Sequence, residues 1–140
     1  MIVALDTNAV LQARSPLHDF HPILEAWKNG SFSVAVSTGI LLEYEEVITA
    51  KTSAERWRNF ATFLDAVAMA EGNLMAISPS FRFHLITADP DDDKFADCAI
   101  AAEADYIITN DRHFDALKTA GYKPQPITPD EFIRWHLSAV

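Results

Sequence analysis

The chain is poor in cysteine, in basic residues and in long apolar runs. Cys98 is the sole cysteine in 140 residues, so no disulfide can form within the sequence. Its setting, Ala-Asp-Cys-Ala-Ile-Ala-Ala, is that of a small buried hydrophobe and suits a reducing compartment. Lys and Arg number 11 against 20 Asp and Glu, a formal charge of −9. Taken as an average, that charge argues against a simple polyanion binder, whose affinity comes from bases displacing counterions. The opening apolar run, Ile2 to Leu5, stops at Asp6, far short of the ~7–15 apolar residues of a signal-peptide core, and no later run approaches ~18 residues without a charge. A soluble, cytoplasmic protein is the expectation. Repeats and low-complexity tracts are absent as well. What the chain does have is a composition 49% hydrophobic and 11% aromatic, enough for a real core. At ~100–200 residues per domain, residues 1–140 make a single domain.

Strand-like and helix-like segments alternate. Ile2 to Leu5, Phe32 to Ser37 and Tyr106 to Thr109 are short β-rich runs bounded by turn residues, and Leu74 to Ile77 and the stretch around Ile127 are weaker strand candidates. Helical spacing predicts segments from Pro22 to about Lys28, from about Thr38 to Lys51, from Asp92 or Asp93 to Ala104, and after Pro129-Asp130, the last burying Phe132, Ile133 and Trp135 or Leu137. The clearest helix begins at a capping box, Thr52-Ser53-Ala54-Glu55, carries Trp57, Phe60, Leu64 and Val67 on one side, and stops at Gly72-Asn73. Such alternation means βαβ units, hence an α/β fold with a mainly parallel sheet covered on both faces.

The negative charge is concentrated. Residues 88–111 hold 8 acids and 1 base, and so account for seven of the nine net negatives. Asp6 follows the first strand directly and Asp111 follows the Tyr106 strand, so both stand at carboxyl ends, where open parallel sheets bind ligands. Glu43 falls inside the apolar stripe of Ile40, Tyr44, Val47 and Ile48, while Glu45 and Glu46 fall on its flanks. Asp97 is the only charge in the otherwise apolar run from Phe95 to Ala102, with Asp93 one turn earlier on the same face. Asp89, Asp91, Asp92 and Asp93 also read as turn and cap residues. Several carboxylates converging with no Lys or Arg between them repel one another unless protonated or bridged by metal. Oxygen-only ligation, with neither a Cys cluster nor paired His at ligand spacing, selects Mg²⁺ or Mn²⁺ over Zn²⁺. Such a pocket suits metal-assisted hydrolysis of a phosphodiester.

At these residues the sequence resembles the PIN-domain family, in particular its branch of toxin components of toxin–antitoxin systems. The matching pieces are Ile-Val-Ala-Leu-Asp-Thr-Asn at 2–8, Ser-Thr-Gly-Ile-Leu-Leu-Glu-Tyr-Glu-Glu-Val at 37–47, Asp-Pro-Asp-Asp-Asp-Lys-Phe-Ala-Asp-Cys-Ala at 89–99 and Ala-Asp-Tyr-Ile-Ile-Thr-Asn-Asp-Arg-His-Phe at 104–114. The resemblance implies a three-layer α/β/α sandwich with a central sheet of about 4–5 strands and a Mg²⁺- or Mn²⁺-dependent ribonuclease that hydrolyses RNA by metal-activated water. Its ligands and catalytic residues would be Asp6, Glu43, Asp97 and Asp111, with Asn8 and Thr109 as supports. The family pattern has Asn where this chain has Asp93 and Glu where it has Asp97, which leaves Asp92, Asp93 and Asp97 as alternatives for the third carboxylate. The resemblance also implies a homodimer and a small antitoxin protein covering the carboxylates, with an inserted Arg as counter-ion.

Arg112 and His113 are placed to meet a non-bridging phosphate oxygen, with Arg14, Arg82 and Lys123 as weaker guides for the strand. Two rival classes fit the same residues. One is a catalytically idle protein-binding module, natural for an acidic chain without a basic stripe. The other is a metal-dependent phosphatase, which Asp-Thr-Asn fits poorly because it lacks the second nearby Asp that such nucleophile loops usually show.

Overall fold

The computed structural model describes residues 1–70, 72–78 and 93–137. Five short strands form one sheet: β1 (Ile2–Leu5), β2 (Ser33–Val36), β3 (Leu74–Ala76), β4 (Tyr106–Ile108) and β5 (Gln125–Ile127). Their order is β3-β2-β1-β4-β5, and every neighbouring pair is parallel. The chain thus winds outward from β1 in one direction and returns to wind outward in the other. Because right-handed crossovers put the connections of the two directions on opposite faces, the sheet is covered on both sides. Helices α1 (Thr7–Ala13), α2 (His21–Lys28), α3 (Thr38–Lys51) and α4 (Ala54–Met69) belong to the first direction, and α5 (Asp93–Ala101) and a 3₁₀ segment (Arg112–Ala120) to the second. This is the expected three-layer sandwich. The chain ends in α6 (Pro129–Phe132), which continues as a π-helical turn (Ile133–Leu137).

The central strands are apolar on both faces because both are covered: Val3, Ala4 and Leu5 of β1, Val34, Ala35 and Val36 of β2, and Ile107 and Ile108 of β4 are all buried. Trp27 closes the core beneath α2. Its indole Nε1 donates to the Asn73 carbonyl (2.7 Å), and the Asn73 amide donates to the Trp27 carbonyl (3.3 Å), so two buried polar groups satisfy each other. Gly30, at φ +81°, turns the chain beside Asn73. A Cβ there would lie 3.5 Å from the Asn73 side chain, in a conformation that L side chains rarely adopt.

Helix starts follow side-chain caps, with some departures from the sequence reading. Ser37 caps α3 through its hydroxyl on Ile40 N, and Thr128 with Glu131 forms a full capping box on α6. At α4 the cap is Ser53, accepting from Arg56 N, rather than a box based on Thr52, and the helix ends at Met69, before Gly72. Helix α5 stops at Ala101, three residues short of expectation. Glu103 takes a left-handed φ of 55°, and Ala104 N returns to the Ala99 carbonyl, a closure that needs no glycine signal in the sequence. In the final helix Phe132 is buried and Leu137 lies against the core, whereas Trp135 is exposed. Among the described residues, no helix is long and apolar enough to cross a membrane.

Candidate metal centre

The strand order reverses at β1, so the gap between the carboxyl ends of β1 and β4 is the topological switch point, where the flanking connections diverge and leave a crevice. Asp6 stands there, 6% exposed, as the residue between β1 and α1. One carboxylate oxygen, Oδ1, accepts from Thr7 N (2.8 Å) at the start of α1, and Oδ2 accepts from the Thr109 hydroxyl (2.7 Å) just beyond β4. The same Thr109 oxygen accepts from Asp111 N (2.9 Å), so a buried threonine ties the two strand-terminal acids together. Asp111 Oδ1 in turn accepts from His113 N (2.9 Å) and lies 3.2 Å from His113 Nδ1.

Burial drives the Asp6 carboxyl above its ordinary value. The Thr109 and Thr7 hydrogen bonds oppose that rise, while the charges of Asp111 and Glu43 add to it. Asp6 therefore has two acidic neighbours, Asp111 from the turn beyond β4 and Glu43 from α3. Glu43 is half-buried on α3. Thr7 donates its hydroxyl to Oε2, and Lys94 Nζ sits 2.7 Å from Oε1. Tyr44, the next residue, is fully buried and donates its hydroxyl to the Leu5 carbonyl, which fixes α3 against the end of β1. Burial, with the nearby acids, raises the Tyr44 phenol well above its usual range, so it is a neutral donor.

Sequence reasoning had the carboxylates converging with no base between them, and Glu43 departs from that. Lys94 supplies a cation from the first turn of α5, neutralising the carboxylate that would otherwise sit unpaired on an apolar stripe. Asp97, 6% exposed, lies three residues beyond Lys94 and so on the same face of α5, a helix packed on β1, β2, β4 and α3. Asp93, half-buried, opens that helix. Asp92, Asp89, Asp91 and Arg82 lie outside the described residues. Asn8 is exposed. Arg112 is exposed beside Asp111, along a cavity of about 320 Å³ that also reaches Lys118, Thr128 and Glu131. Arg14 caps the far end of α1 and Lys123 precedes β5, so both lie away from the carboxyl ends and neither is placed to guide a strand across Asp6.

Among the described residues no three His, Cys, Asp or Glu side chains form a ready-made metal cage. The donor chemistry nonetheless fits a hard divalent ion. The available atoms are carboxylate oxygens, and a cation offsets both the burial that chiefly raises the Asp6 carboxyl and the repulsion that adds to it. Two members of the site escaped sequence reasoning, Thr7 and Lys94. The available signals were the hydroxyl directly after Asp6 and the lone base of the acidic stretch.

Fold and site together define a doubly wound α/β domain with an acidic crevice at its switch point. A PIN domain family model matches residues 2–113, and the chain belongs to the PIN domain family, whose members are generally nucleases. No curated protein matches the sequence. Among solved structures, VapBC2 from Rickettsia felis, bound to a DNA fragment from its promoter, contains a chain that superposes with a TM-score of 0.57 at 18% identity, over 91% of this chain and 98% of that one. At that identity the likeness is one of fold.

Proposed function

We propose that this chain is a divalent-metal-dependent ribonuclease that hydrolyses RNA phosphodiester bonds and serves as the toxin of a toxin–antitoxin pair. The observation that carries the reading is the placement of Asp6, buried at the β1–β4 switch point, where the charges of Asp111 and Glu43 add to the rise that burial causes in its carboxyl. Asp6, Glu43, Asp97 and Asp111 would hold Mg²⁺ or Mn²⁺, with Asp93 or Asp92 as auxiliaries. The bound cation supplies polarisation of the attacking water and neutralisation of charge on the phosphate.

The remaining work falls to the chain's own side chains. Thr109 and Thr7 N orient the Asp6 carboxylate by holding one oxygen each. His113 N restrains Asp111, and Thr7 restrains Glu43. Arg112 projects into solvent beside Asp111, where its guanidinium can clamp a non-bridging phosphate oxygen. Lys94 balances Glu43 and keeps the acidic crevice compatible with a polyanion. The VapBC2 likeness lends support to a small antitoxin partner covering this crevice.

The test is cleavage of a single-stranded RNA in Mn²⁺, with Asp6→Asn as control. Cleavage that stops in chelator and in the variant is expected, and full activity of Asp6→Asn would sink the site assignment. The Lys94–Glu43 pair is the one feature that favours a second reading, an idle protein-binding module whose acidic site is already satisfied. Absence of Mn²⁺ binding at millimolar concentration, together with no cleavage, would select it.

A further inference from the structure

A larger cavity, about 570 Å³, opens away from the carboxylates between the end of α1, α2 and the first half of α4. Its charge is the reverse of the molecule's. Arg14, Lys28 and Arg56 line it against the single acid Glu25, which is three bases to one acid, a surplus of two positive charges on a chain that totals −9. Glu25 is engaged by His21, whose Nε2 lies 3.4 Å from its carboxylate. Arg14 is held in place as the cap of α1, its backbone N donating to the Val10 carbonyl. Its Nε is buried and has no hydrogen-bond partner among the described residues. Burial and the nearby Arg56 charge both disfavour the Arg14 cation. Two guanidinium-bearing residues on one cavity wall, Arg56 disfavouring the charge of Arg14 and Arg14 keeping an unsatisfied donor, give the cavity the character of an anion site.

The rest of the wall is apolar and aromatic. Leu24, Phe60 and Phe63 line it, the two phenyl rings stacked with centroids 5.7 Å apart, and Asn29 and Asn59 bring the amides needed to read a polar ring edge. A surplus of two charges matches a phosphate monoester better than a single carboxylate, and the aromatic floor matches a flat heterocycle. The volume falls within the range of small-molecule sites, and the cleft is a half-open pocket rather than a basic stripe tracking a backbone. We propose that this pocket binds a nucleoside monophosphate, with the phosphate between Arg14 and Arg56 and the base against Phe60 and Phe63. The shared chemistry could be presented by a free nucleotide or by the 5′-phosphorylated end of an RNA. The inference does not depend on the nuclease reading, since none of these residues touches Asp6, Glu43 or Asp111.

Calorimetric titration of the whole chain with AMP and UMP, in chelator so that no metal contributes, tests it. Adenosine and inorganic phosphate are the controls. Binding of a nucleotide is expected, at least ~10-fold tighter than inorganic phosphate and weakened by ~10-fold or more in Arg56→Gln, an exposed position where folding is not at stake. Arg14→Lys, which keeps the charge but loses the fork, should weaken it as well. Competition by a 5′-phosphorylated oligonucleotide but not its 5′-hydroxyl form would assign the RNA end, and competition by neither would assign the free nucleotide. No nucleotide binding at millimolar concentration, affinity no better than that of inorganic phosphate, unchanged affinity in both variants, or capture of an acidic peptide in place of nucleotides would overturn the proposal.

Discussion

The two ends of α1 carry opposite electrostatic problems. At its start Asp6 is a buried acid with acidic neighbours, and at its finish Arg14 is a partly buried base with a basic neighbour. Each is disfavoured in its charged form by desolvation first and by like charge second. They differ in local support. Asp6 has hydrogen bonds to both carboxylate oxygens, and its neighbour Glu43 has Lys94, whereas the Arg14 Nε has no acceptor among the described residues. One end has its charged group held by local donors, and the other keeps a donor with no acceptor. Charge arithmetic over the whole chain hides both, because −9 is the sum of an acidic crevice, a basic pocket and a solvated remainder.

The largest effect that tests this contrast is at Asp6. Asp6→Asn should lower metal-dependent RNA cleavage by at least ~100-fold, measured as initial rate, without touching ligand binding at the Arg14 pocket. The same variant reads out the raised carboxyl. An acid whose pKa is raised in the fold favours folding while protonated, and that advantage is lost as pH rises from the ordinary value of 3.8 through the folded value. In chelator, the melting temperature of Asp6→Asn relative to the parent should therefore climb as pH goes from about 4 to 7. Adding Mn²⁺ at pH 7 should stabilise the parent and leave the variant unmoved, because a cation favours the ionised carboxylate. A variant that loses ground with rising pH in chelator would contradict the assigned electrostatics.

Next in size are the residues that hold the ligands. Thr109→Val removes the donor on Asp6 Oδ2 and should weaken Mn²⁺ binding by roughly 10-fold in a calorimetric titration. Lys94→Met should strengthen it several-fold if the lysine competes with metal for Glu43. Weakening instead would make Lys94 part of a structural pair rather than a stand-in for the metal. Tyr44→Phe should cost about 1 kcal/mol in denaturant unfolding by deleting the bond to the Leu5 carbonyl, and should blunt activity only to the extent that α3 shifts. The smallest effect belongs to Cys98. Burial pushes its thiol up to about 12, so a thiol reagent at pH 8 should label it only after denaturation.

Much of this was legible in the sequence because the signals are local. Apolar runs bounded by turn residues marked β1, β2 and β4, and the same boundaries put Asp6 and Asp111 at strand ends. A four-residue frame around Glu43 showed a charge on an apolar stripe. The end of α5 was not legible, since a glutamate at left-handed φ carries no composition signal. Neither was the choice between Trp135 and Leu137, which helical spacing left open and which falls to Leu137 in the π-helical turn.

By itself the sequence determined the order of elements except α1 and the 3₁₀ segment after Asp111, the parallel architecture and which acids stand at carboxyl ends, because propensity, capping and periodicity act over a few residues. Only the tertiary structure decided that Lys94 meets Glu43 across 51 positions, that Thr109 bonds Asp6 across 103, and that Arg14 and Arg56 line one cavity. Those contacts arise from the strand order β3-β2-β1-β4-β5, which brings distant segments to one crevice and one groove. The charge on a side chain is written in its residue type, but its partner and its cost are set by what the winding of the sheet places beside it.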